Sequence, residues 1–381
     1  MIRPVHGGNL AWAATLAGCP AAAILDFSAS ISPLGPPESA LDAIRSHLSS
    51  LTAYPDPDYG ELRAALGEAL NVDPDWILPG NGSAELLTWA ALDLSKLEAT
   101  YLVTPAFGDY SRALLAFGAQ VLDCPLDLKS LEAGAGNGLV TDYLSVFNRS
   151  FVSPSLSLPV PLLNADRGLL LNNPHNPTGL LFGREAIRPY LEQLPLVVVD
   201  EAFMDFLPPS ERESLIDAVE EFPNLVILRS LTKFYSLPGL RMGCAIGHPD
   251  ILRRWQLQRD PWPVNTLAAA ATAAVLRDTV FEQKTWDWLP VARQELFEGL
   301  ANLPGLRPFP GAANFLLVES SISVSLIQKS LLERHRILIR DCLSFPELGD
   351  RFFRVAVRSR ADNLRLIAGL SEVLGHWSVD G

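Results

Sequence analysis

Along the first two thirds of the chain, continuous apolar runs alternate with helical periods, and a polar or glycine-bearing turn follows each run. WILPGN gives way to GSAELLTWAAL, and ATYLVTP to FGDYSRALLAFG. RGLLLNNPHNPTG, LPLVVVDEAF and LVILRSLTKF each place a run of Leu, Ile and Val before a polar turn. Apolar runs without alternation predict strands covered on both faces. Their interleaving with helices predicts α/β architecture, with a mostly parallel central sheet under helices. Ligands of such sheets sit at the carboxyl ends of the strands, where this chain places its polar residues.

The flanking regions read differently. Residues 1–37 are punctuated by Gly and Pro and read as an arm rather than a packed element, while 38–50 and 60–71 carry helical periodicity on either side of YPDPDYG. Residues 126–165 show no clear period. From 281 a long helix leads to three apolar runs, ANFLLVE, RILIRDC and FFRVAVR, with helices expected near 323–334 and 361–375. That pattern predicts a smaller α+β domain. The expected division is 1–50 as an arm and helix joining the small domain, 51–280 as the large domain and 281–381 as the small one.

Composition narrows the class. In a chain of 381 residues, 48% hydrophobic content supplies a large core and excludes disorder. The 30 Lys and Arg stand against 43 Asp and Glu, a net charge of −13, which argues against nucleic acid or an anionic membrane as partner. Cys19, Cys124, Cys244 and Cys342 lie far apart with no CxxC pair, so reduced core thiols are expected and no metal site. MIRPVHGGNLAW has no apolar run behind Arg3, and the Ala-rich stretch 267–276 is too short to span a bilayer. A cytoplasmic protein is expected.

Four turns carry chemistry. Lys233 follows the strand LVILRS, with Ser230 and Thr232 before it and Arg241 eight residues on. A lysine at a strand end serves as a Schiff-base nucleophile when desolvation lowers its pKa, although a solvated surface lysine has the same local sequence. The hydroxyls and the arginine suit a phosphate. Asp200 closes LPLVVVD, where an aspartate needs a partner: a helix N–H, a metal or a pyridinium nitrogen. No His/Asp/Glu spacing favours the metal. Gly82 and Ser83 form a glycine turn that opens a helix, a phosphate site by its free N–H groups but not a nucleotide fingerprint. Asn176 lies in NPHNPTG, where prolines fix the turn and the amide is free to face a ring oxygen.

Taken in order, Asn176-Pro-Thr-Gly, Asp200-Glu-Ala-Phe and Ser-Leu-Thr-Lys233 with Arg241 resemble the fold-type I pyridoxal-phosphate enzymes, over nearly the whole chain. Within them the chain is similar to the histidinol-phosphate aminotransferase group. The resemblance implies pyridoxal 5′-phosphate as cofactor, held covalently by Lys233, with Asp200 on the pyridine nitrogen and Asn176 on the ring 3′-oxygen. It places Gly82, Ser83, Ser230, Thr232 and Arg241 around the phosphate and Phe107 on the ring face. It also implies that Tyr54 reaches the cofactor phosphate of a neighbouring subunit, hence a homodimer.

Three further features resemble the threonine-phosphate decarboxylases of cobalamin synthesis. The arm His6-Gly7-Gly8-Asn9 is followed by DFSASISPLG; Phe203 stands three residues after Asp200, where the aminotransferases usually carry tyrosine; and Arg340 and Arg354 match two substrate-binding arginines. This resemblance implies His6, Gly7, Asn176, Arg340 and Arg354 as substrate contacts. It implies decarboxylation of O-phospho-L-threonine to (R)-1-amino-2-propanol O-2-phosphate. The alternative is a histidinol-phosphate or related aminotransferase, which shares the cofactor residues. The expected substrate is a small anionic amino-acid phosphate.

Overall fold

The computed structural model of the protein describes residues 6–128, 158–161 and 166–379. Most of the unpatterned segment 126–165 therefore lies outside the described residues. The chain starts with α1 (Leu10–Ala17) and β1 (Leu25–Asp26), followed by α2 (Glu38–Ser46) and α3 (Gly60–Leu70). Then come β2 (Ile77–Asn81), α4 (Ser83–Leu94), β3 (Ala99–Thr104), α5 (Gly108–Ala116), β4 (Val121–Pro125) and β5 (Arg167–Asn172). The large sheet is completed by α6 (Arg184–Gln193), β6 (Leu196–Asp200), β7 (Leu225–Ser230) and β8 (Met242–Gly247). Helices α7 (Pro249–Gln258), α8 (Thr266–Val275) and α9 (Thr279–Ala301) lead to β9 (Leu306–Pro308), β10 (Phe315–Ser320) and α10 (Val324–His335). The chain closes with β11 (Ile337–Leu338), β12 (Arg340–Asp341), β13 (Phe352–Ala356) and α11 (Arg360–Val379).

Seven strands form the main sheet in the order β2-β8-β7-β6-β5-β3-β4. The five strands from β7 to β4 run parallel, and every residue of β3, β6 and β7 is buried, as their unalternating sequences require. β8 departs from the expected parallel order: it pairs antiparallel with both β7 and β2. Eleven residues join β7 to β8 (231–241), and they carry no crossover helix to return the chain to the starting edge. That short connection is the lysine loop.

A second sheet, β12-β13-β10-β9, is antiparallel, and β1 pairs in parallel with β11 beside it. Here the arm differs from the sequence expectation, because residues 10–17 are a packed helix. The Asn9 side chain accepts the Trp12 N–H, and Gly18 closes the helix in the left-handed conformation. Ala13 is fully buried beside Ile24, Leu332 and Leu338. The Gly7-Gly8 pair and Pro20 mask these caps in the sequence. The long helix α9 buries Phe281, Leu289, Leu296, Phe297 and Leu300, and Asp278 caps its start by accepting the Phe281 N–H. Among the described residues no helix is long and apolar enough to cross a membrane, and no group of three His, Cys, Asp or Glu is placed to hold a metal.

Candidate active site

The site is assembled at the carboxyl ends of β5, β6 and β7. Asn172 and Asp200 are register partners on β5 and β6, and the Asn173 N–H donates to the Asp200 carbonyl at 2.9 Å. Asn172 then shapes the next turn: its Nδ2 donates to the Pro174 carbonyl at 2.7 Å, and its Oδ1 accepts the Asn176 N–H at 3.0 Å. The Asn173 side chain clamps both backbone groups of Phe182 at 2.9 Å. Asn176 is thereby fixed in place and buried. Its Oδ1 accepts from Arg354 Nη1. An arginine carries only donors, so the atom facing it must be the oxygen and the Asn176 NH2 is left to face elsewhere as a donor.

Lys233 lies in the β7–β8 loop. Its Nζ donates to Ser230 Oγ at 3.2 Å, Ser230 and Thr232 hydroxyls are 2.8 Å apart, and its carbonyl accepts the Ser32 N–H at 3.0 Å. Nζ sits 5.1 Å from the ring centroid of Phe203, which packs edge-on against Phe315. Burial pushes the Lys233 amine down to about 8; nearby Asp200 opposes this, while Arg241 and Arg354 add to it. Burial also pushes the Asp200 carboxyl up, against the charge of Lys233 and hydrogen bonds from Tyr110 and the Ala202 N–H. The charges that act on Lys233 are thus two arginines and one aspartate. The pocket is a local cationic exception within an acidic chain.

The start of α4 supplies a cradle. Gly82 has φ +76° and precedes a helix whose first turn has no side-chain cap, so its leading N–H groups have no partner from a side chain. A Cβ on Gly82 would stand 2.6 Å from Arg241 Nη2, so a side chain there would displace the guanidinium. Gly243 on β8 is in register with Gly80 on one side and Ser230 on the other, which brings the turn of Gly82 and Ser83 next to the lysine loop. Uncapped helix N–H groups, an exposed arginine, two hydroxyls and a partly neutral amine fit a phosphate-bearing aldehyde cofactor. Phe107 immediately precedes α5, 5.7 Å from Tyr110 in an edge contact and 5.6 Å from the His6 ring.

The arm seats on this site. Gly8 N–H donates to Ser28 Oγ at 2.7 Å, and a Cβ on Gly7 would lie 2.2 Å from the Ser28 carbonyl oxygen, an approach only glycine permits. That same carbonyl accepts from Arg354 Nη2 at 3.4 Å. His6 Nε2 is 3.7 Å from Asp109. Arg340 and Arg354 are register partners on β12 and β13, both buried. Arg340 donates to Ser344 Oγ at 2.6 Å. Arg354 packs 4.7 Å over the Phe315 ring, its Nε is buried without a partner, and no carboxylate among the described residues lies within ion-pair reach of it. A buried cation without a counter-ion is costly, and an anionic ligand is the natural remedy.

Tyr54 is placed apart. It is 78% exposed and stacks on Trp262 at 4.4 Å within the single chain. Conversely, the sequence reading did not single out Tyr110, whose buried O–H donates to Asp200 Oδ2 at 2.8 Å. The signal for it is its position one helical turn after Phe107. Nor did that reading include the Arg229–Glu201–Asp205 ion network under the strand ends, in which Arg229 donates to Glu201 at 2.8 Å and to Asp205.

Residues 22–370 match the family model for aminotransferase class I and II. The chain is 38% identical to the threonine-phosphate decarboxylase of Salmonella typhimurium over 98% of both chains. It is 28% identical to the adenosylcobalamin biosynthesis bifunctional protein CobDQ of Leptospira interrogans, over 98% of this chain and 41% of that one. Among solved structures, the histidinol-phosphate aminotransferase of Clostridium acetobutylicum is similar with a TM-score of 0.77 and 26% identity, covering 93% of this chain and 100% of that one.

Proposed function

The chain belongs to the aminotransferase class I and II family, and from that membership we propose that it is a pyridoxal-phosphate-dependent carboxy-lyase that decarboxylates O-phospho-L-threonine to (R)-1-amino-2-propanol O-2-phosphate in cobalamin biosynthesis. It has the fold-type I architecture of that family and its cofactor is pyridoxal 5′-phosphate. Near-full-length likeness to a threonine-phosphate decarboxylase supports the choice of reaction. The observation that carries the substrate class is Arg354, a buried arginine with no counter-ion among the described residues, register-paired with a second buried arginine beneath the glycine arm. A substrate bearing both a carboxylate and a phosphate supplies two anions to that place.

In this reading Gly82, Ser83, Ser230, Thr232 and Arg241 hold the cofactor phosphate, Phe107 covers the ring, Asn176 donates to the ring oxygen and Lys233 attaches the group. When bound, pyridoxal phosphate supplies an electron sink for the pair released when a bond at the substrate Cα breaks. Asp200 keeps a proton on the ring nitrogen by facing it with a carboxylate. His6, Gly7, Arg340 and Arg354 bind the two anionic groups and set the rotation about the substrate's N–Cα bond. With the cofactor bound, these contacts would orient the substrate so that CO2 rather than the α-proton is lost. Once CO2 has left, Lys233 Nζ returns a proton to Cα, balancing the charge.

The discriminating experiment supplies phosphothreonine to the loaded enzyme and follows CO2 and the aminopropanol phosphate by mass. Stoichiometric release of both is expected. Glutamate formed from histidinol phosphate and 2-oxoglutarate, with no CO2 from phosphothreonine, would overturn the reading in favour of the aminotransferase.

The reading includes a homodimer in which Tyr54 reaches the partner's cofactor phosphate. Its support is the exposed stacked pair Tyr54 and Trp262, at 78 and 43% exposure, together with the exposed Leu48 and Leu51 shortly before Tyr54 in the chain. Sedimentation is expected to give a species of twice 41.5 kDa, with weaker cofactor retention in Tyr54→Ala; a monomer with full retention contradicts it. The reading also includes a cytoplasmic location, and four free cysteines, three of them buried, support it.

A further inference from the structure

We propose that Tyr110 is a positioning residue of this site, acting through Asp200: its phenol fixes the carboxylate that faces the cofactor's ring nitrogen. The inference rests on the cofactor reading above and adds a residue to it. Tyr110 O–H donates to Asp200 Oδ2 at 2.8 Å, and the Ala202 N–H donates to Oδ1 at 2.9 Å, so each carboxylate oxygen is engaged by one donor. A carboxylate has about four acceptor sites, and the remaining ones stay available to a ring N–H. With only the Ala202 contact, the terminal torsion of Asp200 would be broad and the plane of the carboxylate poorly defined.

The second effect is on charge. Asp200 is buried, and burial favours its neutral form, which cannot hold a pyridinium. The groups that face it and oppose this are Lys233 from the β7–β8 loop, Tyr110 from α5 and the Ala202 N–H. Tyr110 is itself faced by Asp200 and, on its own helix, by Asp109. Burial and these two carboxylates keep the phenol protonated well beyond the ordinary range, so it remains a donor wherever the enzyme works. Helix α5 and the residue just before it thus supply both the aromatic residue proposed for the ring face and the donor behind the ring acid.

A purely structural role is the competing explanation. Tyr110 does pack in the cluster of Leu86, Leu102, Ala113 and Leu114, and its ring meets the Phe107 edge. Tyr110→Phe keeps that packing and deletes only the hydroxyl. Losing a hydrogen bond to a charged group is expected to weaken cofactor binding about tenfold. It also raises the Asp200 pKa, so the acid limb of cofactor affinity against pH moves to higher pH. Apo-protein melting is expected to fall only by the loss of one buried hydrogen bond, and the KM for phosphothreonine to stay at the wild-type value. In an Asp200→Asn background the same substitution is expected to change cofactor affinity less than twofold, because the carboxylate it acts through is gone. Unchanged affinity and an unmoved acid limb in Tyr110→Phe would overturn the proposal, as would an equal loss in the Asp200→Asn background. Failure of the wild-type protein to bind pyridoxal phosphate at all would instead sink the cofactor reading, and this inference with it.

Discussion

Lys233→Ala is expected to abolish covalent capture of pyridoxal phosphate and to lower turnover of phosphothreonine by ~10³-fold or more, since one residue is the attachment point and the proton carrier. Borohydride reduction of the loaded wild-type protein should add the pyridoxyl mass to the peptide containing Lys233, and the variant should show none. The buried amine predicts a pH signature as well. Only the neutral amine attacks an aldehyde. With its pKa at about 8, about a fifth of Lys233 is neutral at pH 7.4, against about one in a thousand for an ordinary lysine. The rate of capture by apo-protein should therefore rise with pH and level off just above 8. A rise that continues towards 10.5 would mean that the amine is solvated when it reacts. A pyridoxyl adduct surviving on the same peptide of the variant would remove Lys233 from its assigned role.

The parts of this site that were legible in the sequence lie where local chemistry and local structure agree. β6 and β7 read as buried strands because LVVVD and LVILRS have no solvated alternative. Asp200 and Ser230 at their ends could then only be site residues or caps. The turn at Asn176 was legible as a turn, but its orientation was not. The Arg354 contact that orients its amide spans 178 positions and exists only because β13 lies against the turn. Tyr110 was hidden for the same reason: a tyrosine on an amphipathic helix reads as core, and its hydrogen bond to Asp200 crosses 90 positions. The antiparallel direction of β8 was hidden because a run such as MGCAIG carries no direction of its own. The arm helix was missed although both caps were in view, since Asn9 and Gly18 stand among glycines and prolines that also signal turns.

Net charge misleads in the same way. The value of −13 describes the outer surface, while the charges acting on Lys233 are Asp200, Arg241 and Arg354, drawn from three distant stretches of chain. Charge counted along a sequence averages over such a site. Only the fold decides which charges share a low-dielectric volume, where each acts more strongly than a solvated charge does.

Arg354→Met should separate the two consequences of that cation. In the free protein Arg354 is buried with no ion-pair partner among the described residues, its Nε has no hydrogen bond, and burial pushes its guanidinium down to about 10. It is still charged at neutral pH, so the folded protein carries a desolvated cation held, among the described residues, by Asn176 Oδ1, the Ser28 carbonyl and the face of Phe315. Replacing such a charge by an apolar side chain of similar length is commonly neutral or stabilising by about 1–4 kcal/mol. The apo variant should therefore melt at or above the wild-type temperature. Catalysis should move the other way. The substrate loses a buried anion partner, and Asn176 loses the contact that keeps its NH2 towards the site, so kcat/KM should fall by ~10²–10³-fold. Cofactor affinity should change by a few-fold at most, because the phosphate cradle belongs to the main sheet and Arg354 to the second one. Arg354→Lys retains charge but offers one ammonium where two guanidinium nitrogens now reach Asn176 and Ser28. It should recover binding of the substrate better than turnover, because orientation of the bond to be broken depends on the fork. A variant with methionine that melts several degrees lower and turns over normally would show that Arg354 is a structural residue, and the anion it is proposed to meet would have to be sought elsewhere.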